Sequence, residues 1–202
     1  MSILTSRSAQ HLRSLLCVVA LAAGLEGNAA LAQDRGVVSP SLAGPLVRRA
    51  TLVVEDLNKS VDFYQRLGLT KTYDQATTSA SEGGVVGADS LPLTEDPKEG
   101  RLVVMKGADD RLGMIGLLSY DKPRLASARS NLMGIGTGDV VMVIEVPDVQ
   151  GVYSRLQQID VRFHRTPTKY TMTRPDGSVA AGMRMFVYDP DGHLIEVLQP
   201  SR

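Results

Sequence analysis

One acidic residue near the C-terminus, Glu196, lies among apolar residues, where a charge is energetically unfavourable. Glu196 lies in the largely apolar segment 193–199, which follows the turn sequence Asp-Pro-Asp-Gly at 189–192. Proline fixes φ early in such a turn and glycine accepts positive φ at its end, so the flanking segments predict a β-hairpin. Period-2 counting places Leu194, Glu196 and Leu198 on one face of the second strand. Because burying an unpaired charge is strongly unfavourable, Glu196 requires a metal ion, a cationic side chain or open water.

Few other side chains could do chemistry. His193 and His164 are the remaining metal-ligand candidates, but His193 has the opposite strand parity to Glu196, and neither is predicted as a ligand. The single cysteine, Cys17, lies in an N-terminal segment that we expect to be removed, so thiolate catalysis is excluded. The formal net charge is zero, which gives no net attraction to nucleic acid. We therefore predict no nucleic-acid partner.

Residues 1–32 have the pattern of a secretory signal peptide. Arg7 and Arg13 precede an apolar run at 15–25, and Ala-Leu-Ala at 30–32 is typical of a cleavage site. The run is too short to span a membrane as a mature helix, although a retained anchor is the alternative interpretation. We expect cleavage near Ala32, export to the periplasm or the medium, and no stable membrane association afterwards. Residues 33–45 predict an extended leader before the fold.

Residues 46–118 predict a first β-α-β-β-β unit. Asp56 or Asn58 caps the helix, and Gly68 ends it. The aromatic residues Phe63 and Tyr64 fall on this helix, where core packing is their expected role. The strands are recognised by apolar alternation and β-branched residues, and they are predicted at 46–54, 69–73, 101–106 and 112–118.

Two segments of the chain lack a periodic pattern. Residues 74–100 are rich in Gly, Ser, Thr and Asp and are too long for an ordinary connection, so they predict a lid, a partner surface or a mobile insertion. Residues 119–138 carry Pro, Gly, Ser and Asn and predict a linker, with one possible helical turn at 124–129.

Residues 139–202 repeat the element order of the first unit. They predict a strand at 139–146, a helix capped by Asp148, a strand at 161–164 and the terminal hairpin. Val-Val-Glu-Asp-Leu at 53–57 aligns with Glu-Val-Pro-Asp-Val at 145–149, which places the two helix entries in register. We predict an α+β fold in which two tandem βαβββ modules share one domain.

Two motifs in these modules carry a family resemblance. Residues 54–69, around Glu-Asp-Leu-Asn-Lys-Ser-Val-Asp-Phe-Tyr, and residues 186–198, around Tyr-Asp-Pro-Asp-Gly-His-Leu-Ile-Glu, resemble the vicinal oxygen chelate superfamily. That superfamily includes glyoxalase I, bleomycin-resistance proteins and extradiol dioxygenases. The resemblance implies paired modules whose strands form a curled mixed sheet, a cup around a small-molecule site that often holds a divalent metal. It also makes a homodimer possible by analogy.

The resemblance implies four metal-ligand positions, of which only one carries a ligand here. They fall on Arg49, Gly116, Val141 and Glu196. Arginine stays protonated and does not ligate metals, and glycine and valine have no donor side chain. A divalent ion held by one carboxylate would be bound weakly, so we predict that the usual metal site is lost and that no cofactor is used. A divalent metal held by an unusual ligand set is the alternative.

Strand parity within the implied cup gives the candidate ligand-binding residues. They are Arg49, Thr51, Met114, Leu118, Val141, Val143, Glu196 and Leu198. In this arrangement Arg49 would pair with Glu196, either as a purely structural ion pair or as the polar anchor of a ligand whose body packs on apolar walls.

Three functions remain open on these grounds. The first is an exported, metal-independent protein that binds a small, partly apolar molecule. The second is a glyoxalase-like lyase, an isomerase or a dioxygenase with a non-standard metal set, or a metal-free acid–base enzyme with Glu196 as its catalytic candidate. The third is a vestigial pocket whose insertion at 74–100 docks another protein.

Overall fold

The computed structural model describes residues 45–127 and 134–201. The first module contains β1 (Arg49–Val53), α1 (Leu57–Arg66), β2 (Thr70–Thr78), β3 (Glu99–Lys106) and β4 (Met114–Asp121). The second contains β5 (Val141–Glu145), α2 (Val149–Leu156), β6 (Phe163–Thr173), β7 (Val179–Tyr188) and β8 (Leu194–Pro200). The predicted signal peptide and nearly all of the predicted leader lie outside the described residues.

Each module forms one four-stranded mixed sheet. The strand orders are β1-β4-β3-β2 and β5-β8-β7-β6, and each first strand pairs in parallel with the last strand of its module. All other pairs are antiparallel. The register places Thr51 opposite Gly116 and Val143 opposite Glu196. The predicted α+β fold of two tandem βαβββ modules is confirmed.

Local sequence explains where both helices begin. The Asp56 carboxylate accepts hydrogen bonds from the backbone N–H groups of Asn58 and Lys59, each at 3.1 Å, so Asp56 rather than Asn58 is the cap. Asp148 caps α2 in the same way through the N–H of Gly151 at 2.9 Å. Such caps satisfy donors that have no partner inside the helix. Gly68, at φ +106°, then takes the left-handed conformation that ends α1.

The main core lies on the helix side of both sheets. It joins Phe63, Tyr64 and Leu117 of the first module to Leu156 and Ile195 of the second, all of them at most 2% exposed. Burial of this apolar surface is the main force that holds the modules together. At the rim, Arg66 Nη1 donates to the carbonyl of Arg155 and Arg155 Nε donates to the carbonyl of Arg66, both at 3.0 Å.

The insertion is shorter than predicted and is packed on its own sheet. Because β2 runs to Thr78 and β3 begins at Glu99, only residues 79–98 are irregular, not 74–100. Val85 packs with Leu118 and Tyr120 in a second apolar cluster, on the sheet face opposite the helix. Tyr120 Oη donates to the carbonyl of Val86 at 2.8 Å, and the N–H of Val86 donates to Thr77 Oγ1 at 2.8 Å. The insertion therefore covers one end of that face.

Other element boundaries differ modestly from expectation. β4 continues to Asp121 and β6 runs through Phe163–Thr173, well beyond the strand predicted at 161–164. Residues 124–127 form no helical turn, and the rest of the turn predicted at 124–129 lies outside the described residues. No helix in the described part of the chain is both long and apolar enough to cross a membrane. The terminal hairpin is confirmed, with the N–H of Gly192 donating to the carbonyl of Asp189 at 3.0 Å.

Candidate functional site

The ion pair expected between Arg49 and Glu196 is not formed. Glu196 Oε1 lies 3.3 Å from Nη1 of Arg184 on the neighbouring strand β7, and both side chains are partly exposed. Arg49 has no ion-pair partner among the described residues. Its side chain instead crosses Gly116, where an added Cβ would lie 3.1 Å from Arg49 Cδ and 2.7 Å from Thr51 Oγ1. Glycine at 116 thus makes room for β1 side chains, not for a metal ligand.

The predicted ligand-binding residues are not brought together in one site. Leu118 is 3% exposed beneath the insertion, which covers it in place of a ligand. Val141 and Val143 lie on the edge strand β5 and are exposed, whereas Met114 and Leu198 are half-buried. Of the predicted set, only Thr51 lines the cleft described next.

An open cleft of about 760 Å³ lies where the two modules meet. Its first walls are the end of β1 with residues 51–55 and the insertion at 92–94. The others are Tyr120 near the end of β4, the chain that follows at 124–127, and the turn at 190–193. Leu93 and Leu125 supply apolar surface, and both also pack against the cluster beneath the insertion. The cleft has the size and the mixed lining of a small-molecule site.

A buried carboxylate organises the polar end of this cleft. Asp189, whose side chain is fully buried, accepts a hydrogen bond from Tyr64 Oη of the first module at 3.0 Å. Its two oxygens also lie 3.2 and 3.0 Å from Nδ1 of His193, a residue that lines the cleft. The N–H groups of Asp191 and His193 complete its shell at 3.0 and 2.7 Å. Asp189 therefore fixes both the turn and the imidazole.

Asp191 ties the same turn to the start of α1. Its carboxylate accepts from the N–H of Glu55 at 2.7 Å and from Ser60 Oγ at 3.1 Å. Burial, with a smaller contribution from the charge of Asp189, raises the pKa of Asp191 above its ordinary value. Sequence reasoning used this Asp-Pro-Asp-Gly-His segment for the turn and the family motif and considered His193 only as a metal ligand. Two carboxylates and a histidine within five residues were the signal that could have identified a polar site.

Known proteins place this architecture in a family. Residues 46–197 match the sequence model described as the Glyoxalase/Bleomycin resistance protein/Dioxygenase superfamily. The chain belongs to this superfamily. The resemblance inferred from the two motifs is thereby confirmed.

Three solved structures are similar to this chain. A glyoxalase family protein from Bacillus cereus superposes with a TM-score of 0.58 at 16% identity, covering 80% of this chain and 99% of that one. Trypanothione-dependent glyoxalase I from Leishmania major gives 0.46 at 21%, covering 77% and 87%. TnmS3, an antibiotic binding protein from a Streptomyces species, gives 0.44 at 18%, covering 79% and 99%. At 16% identity the first similarity shows a common fold alone.

The described residues offer few donors for the divalent metal that the resemblance implies. Within residues 45–127 and 134–201, no three His, Cys, Asp or Glu side chains are grouped so that they could hold a metal ion. Of the four ligand positions that the resemblance implies, Arg49, Gly116 and Val141 offer no metal donor. The fourth, Glu196, lies beside the Arg184 guanidinium, whose positive charge disfavours a cation there.

Proposed function

We propose that this superfamily member is an exported, metal-independent protein that binds a small, partly apolar molecule in the cleft between its modules. The cleft carries the proposal, because both modules and the packed insertion contribute to a concave surface that joins apolar and polar walls. Export is supported by the signal-like pattern of residues 1–32. Metal independence is supported by the four ligand positions that the resemblance implies, because Arg49, Gly116 and Val141 have no side chain that binds a metal.

The acid–base alternative that relies on Glu196 has weaker support. Its carboxylate faces Arg184 and lines no part of the cleft. A general base must lie within hydrogen-bond reach of the proton that it removes, and Glu196 lies away from the concave surface where a ligand would rest. Docking of another protein by the insertion is also less favoured, because Val85 packs on its own sheet.

A cleft-filling substitution tests where a ligand binds. Val53 is 47% exposed and lines the cleft, so Val53→Phe should occupy ligand space with little effect on folding. Val179→Phe, at an exposed valine of β7 outside the cleft, is the matched control. A ligand at one hundred times its Kd should stabilise the wild type and the control by about 2.7 kcal/mol, and Val53→Phe much less. Equal stabilisation of all three proteins in a thermal-shift screen of small aromatic and aliphatic compounds would remove the cleft as the site.

Two measurements test the other parts of the proposal. Elemental analysis of purified protein should find no near-stoichiometric zinc, nickel, manganese or iron, and a metal released only by strong chelators would contradict metal independence. Mass spectrometry of the exported protein should find Gln33 as its first residue, whereas retention of residues 15–25 would contradict signal cleavage.

A further inference from the structure

The surroundings of His193 determine which nitrogen of its imidazole carries the hydrogen. Nδ1 lies 3.0 and 3.2 Å from the two oxygens of Asp189, whose carboxylate already accepts three other hydrogen bonds. An ionised carboxylate only accepts, so Nδ1 must carry a hydrogen and donate. In the neutral imidazole, Nε2 is then an acceptor. It forms no hydrogen bond with any described residue.

The position of this acceptor is unusually well defined. The His193 side chain is 14% exposed and lines the cleft, while Asp189 behind it is fully buried and is held by Tyr64 from α1. A carboxylate behind an imidazole fixes its tautomer and stabilises the cation that forms when the other nitrogen gains a proton. His193 is therefore suited to take a proton from a group in the cleft.

The charges around the cleft restrict what that group is. Carboxylates face His193 from its own turn and from the β1–α1 junction. The guanidinium of Arg124, which also lines the cleft, lies at that junction too, with Nη1 3.7 Å from Oε1 of Glu55. The titratable and charged groups that surround it are Asp189, Asp191, Tyr64, Glu55, Arg124 and Tyr120. With more carboxylates than cations, the surroundings disfavour a ligand that enters as a carboxylate. A neutral hydroxyl that passes its proton to His193 suits them better, because the proton stays in the cleft and the net charge of the cleft does not change.

We propose that His193, positioned by Asp189, is the polar anchor of the cleft and accepts the proton of a weakly acidic hydroxyl, as in a phenol or an enol. The proton moves from the ligand oxygen to Nε2, while Nδ1 keeps its own hydrogen. The products are a phenolate or enolate and an imidazolium whose charge Asp189 balances. The proposal rests on the proposed function and adds the chemical class of the ligand.

Two probes of similar shape separate this inference from binding in general. 4-Nitrophenol has an ionisable hydroxyl, and its phenolate absorbs visible light whereas the phenol does not. 4-Nitroanisole has the same ring but carries a methyl ether, so it has no proton to give. Equilibrium dialysis measures the affinity for both, and a visible difference spectrum measures how much bound 4-nitrophenol is ionised. Below the pH at which free 4-nitrophenol ionises, the bound probe should contain more phenolate than the free probe.

His193→Asn is the decisive variant, because its amide N–H can still donate to Asp189 while its oxygen cannot take up a proton. It should weaken 4-nitrophenol binding about tenfold, weaken 4-nitroanisole binding much less, and abolish the extra phenolate. His164→Asn is the control, since His164 lies on β6 against the rings of Phe186 and Tyr188 and lines no part of the cleft.

The remaining outcomes distinguish failure of the role of His193 from failure of ligand binding in the cleft. Binding of both probes without extra phenolate in the wild type, or an unchanged spectrum in His193→Asn, refutes the role of His193 but leaves binding in the cleft intact. Failure of both probes to bind the wild type contradicts the ligand class proposed here, and the compound screen with Val53→Phe then decides separately whether the cleft binds anything.

Discussion

Replacing Tyr64 by Phe should loosen the junction between the two modules. Tyr64 Oη on α1 donates to Asp189 Oδ2 in the second module at 3.0 Å, and both side chains are buried. The substitution removes this hydrogen bond but keeps the ring, which packs edge-on against Phe63 at a centroid distance of 5.1 Å. Any loss of stability then reports on the hydroxyl alone.

The magnitude follows from the acceptor and its remaining partners. A hydrogen bond to a charged group contributes about 1.5–3 kcal/mol, and a buried acceptor left without partners costs more. Asp189 keeps the N–H groups of Asp191 and His193 and the Nδ1 of His193, so it is not left unsatisfied. We therefore expect Tyr64→Phe to lower the free energy of unfolding by about 1.5–2 kcal/mol near neutral pH.

The stability difference should also depend on pH in a defined direction. Burial, followed by the charge and hydrogen bond of Asp189, raises the pKa of Tyr64 well above its ordinary value. The folded state then keeps a proton that the unfolded state loses above about pH 10. The contribution of the protonated Tyr64 hydroxyl to folding stability is complete below that pH. It is lost as pH rises further, by up to about 1.4 kcal/mol per pH unit. Phenylalanine does not titrate, so the variant and the wild type should converge in alkaline solution.

Urea unfolding followed by circular dichroism measures both effects. Tyr153→Phe is the matched control, because Tyr153 is a helix tyrosine that packs on the ring of Phe163 and forms no hydroxyl hydrogen bond with the described residues. It should change the free energy of unfolding by less than about 0.5 kcal/mol. A Tyr64→Phe variant as stable as this control, with an unchanged slope against urea concentration, would show that the Tyr64–Asp189 contact does not hold the modules together.

Two further predictions concern ion pairs on the sheets. Glu196→Gln should lower the free energy of unfolding in urea by less than about 1 kcal/mol, because its partner Arg184 is 36% exposed. Arg49→Met should lower it by less still. A loss of about 3–5 kcal/mol in Glu196→Gln would indicate a fully buried pair instead. Hydrogen bonds from Arg101 and, to a smaller extent, Lys71 lower the pKa of Asp74. The contribution of the ionised Asp74 to folding stability is therefore present above about pH 4 and is lost as pH falls. Arg101→Met should reduce the loss of stability below that pH. At neutral pH it should cost less than about 1 kcal/mol, because the pair with Asp74 is partly exposed. An unchanged dependence of stability on pH in acid would refute this.

Features fixed by short-range chemistry were predictable from the sequence. Asp56 and Asp148 each cap a helix because a short acidic side chain reaches the free N–H groups of the first turn. The turn before β8 follows from proline and glycine at set positions, and its parity puts Ile195 in the core and Glu196 on the other face. These outcomes depend on neighbours within a few residues.

Pairing between distant side chains was not predictable by the same means. Parity gives the face on which Glu196 lies, but it does not say which cation on that face is nearest. In the register of β7 and β8, Phe186 is opposite Glu196 and Arg184 is its diagonal neighbour on the same face, within reach of a long side chain. Arg49 belongs to a different sheet. A local strand neighbour thus pairs with Glu196, which sequence analysis had assigned to a remote partner.

The two modules repeat one topology but have diverged in what covers the face opposite the helix. In the first, the insertion at 79–98 packs Val85 onto Leu118 and Tyr120 and leaves the cleft at one end. In the second, the corresponding face carries Arg184, with its guanidinium 5.5 Å from the rings of both Tyr170 and Phe186. The repeated topology supplies the scaffold, but the cleft needs the insertion of one module and the turn of the other. Without the second module the cleft would lose its wall at 190–193, and without the insertion it would lose its wall at 92–94.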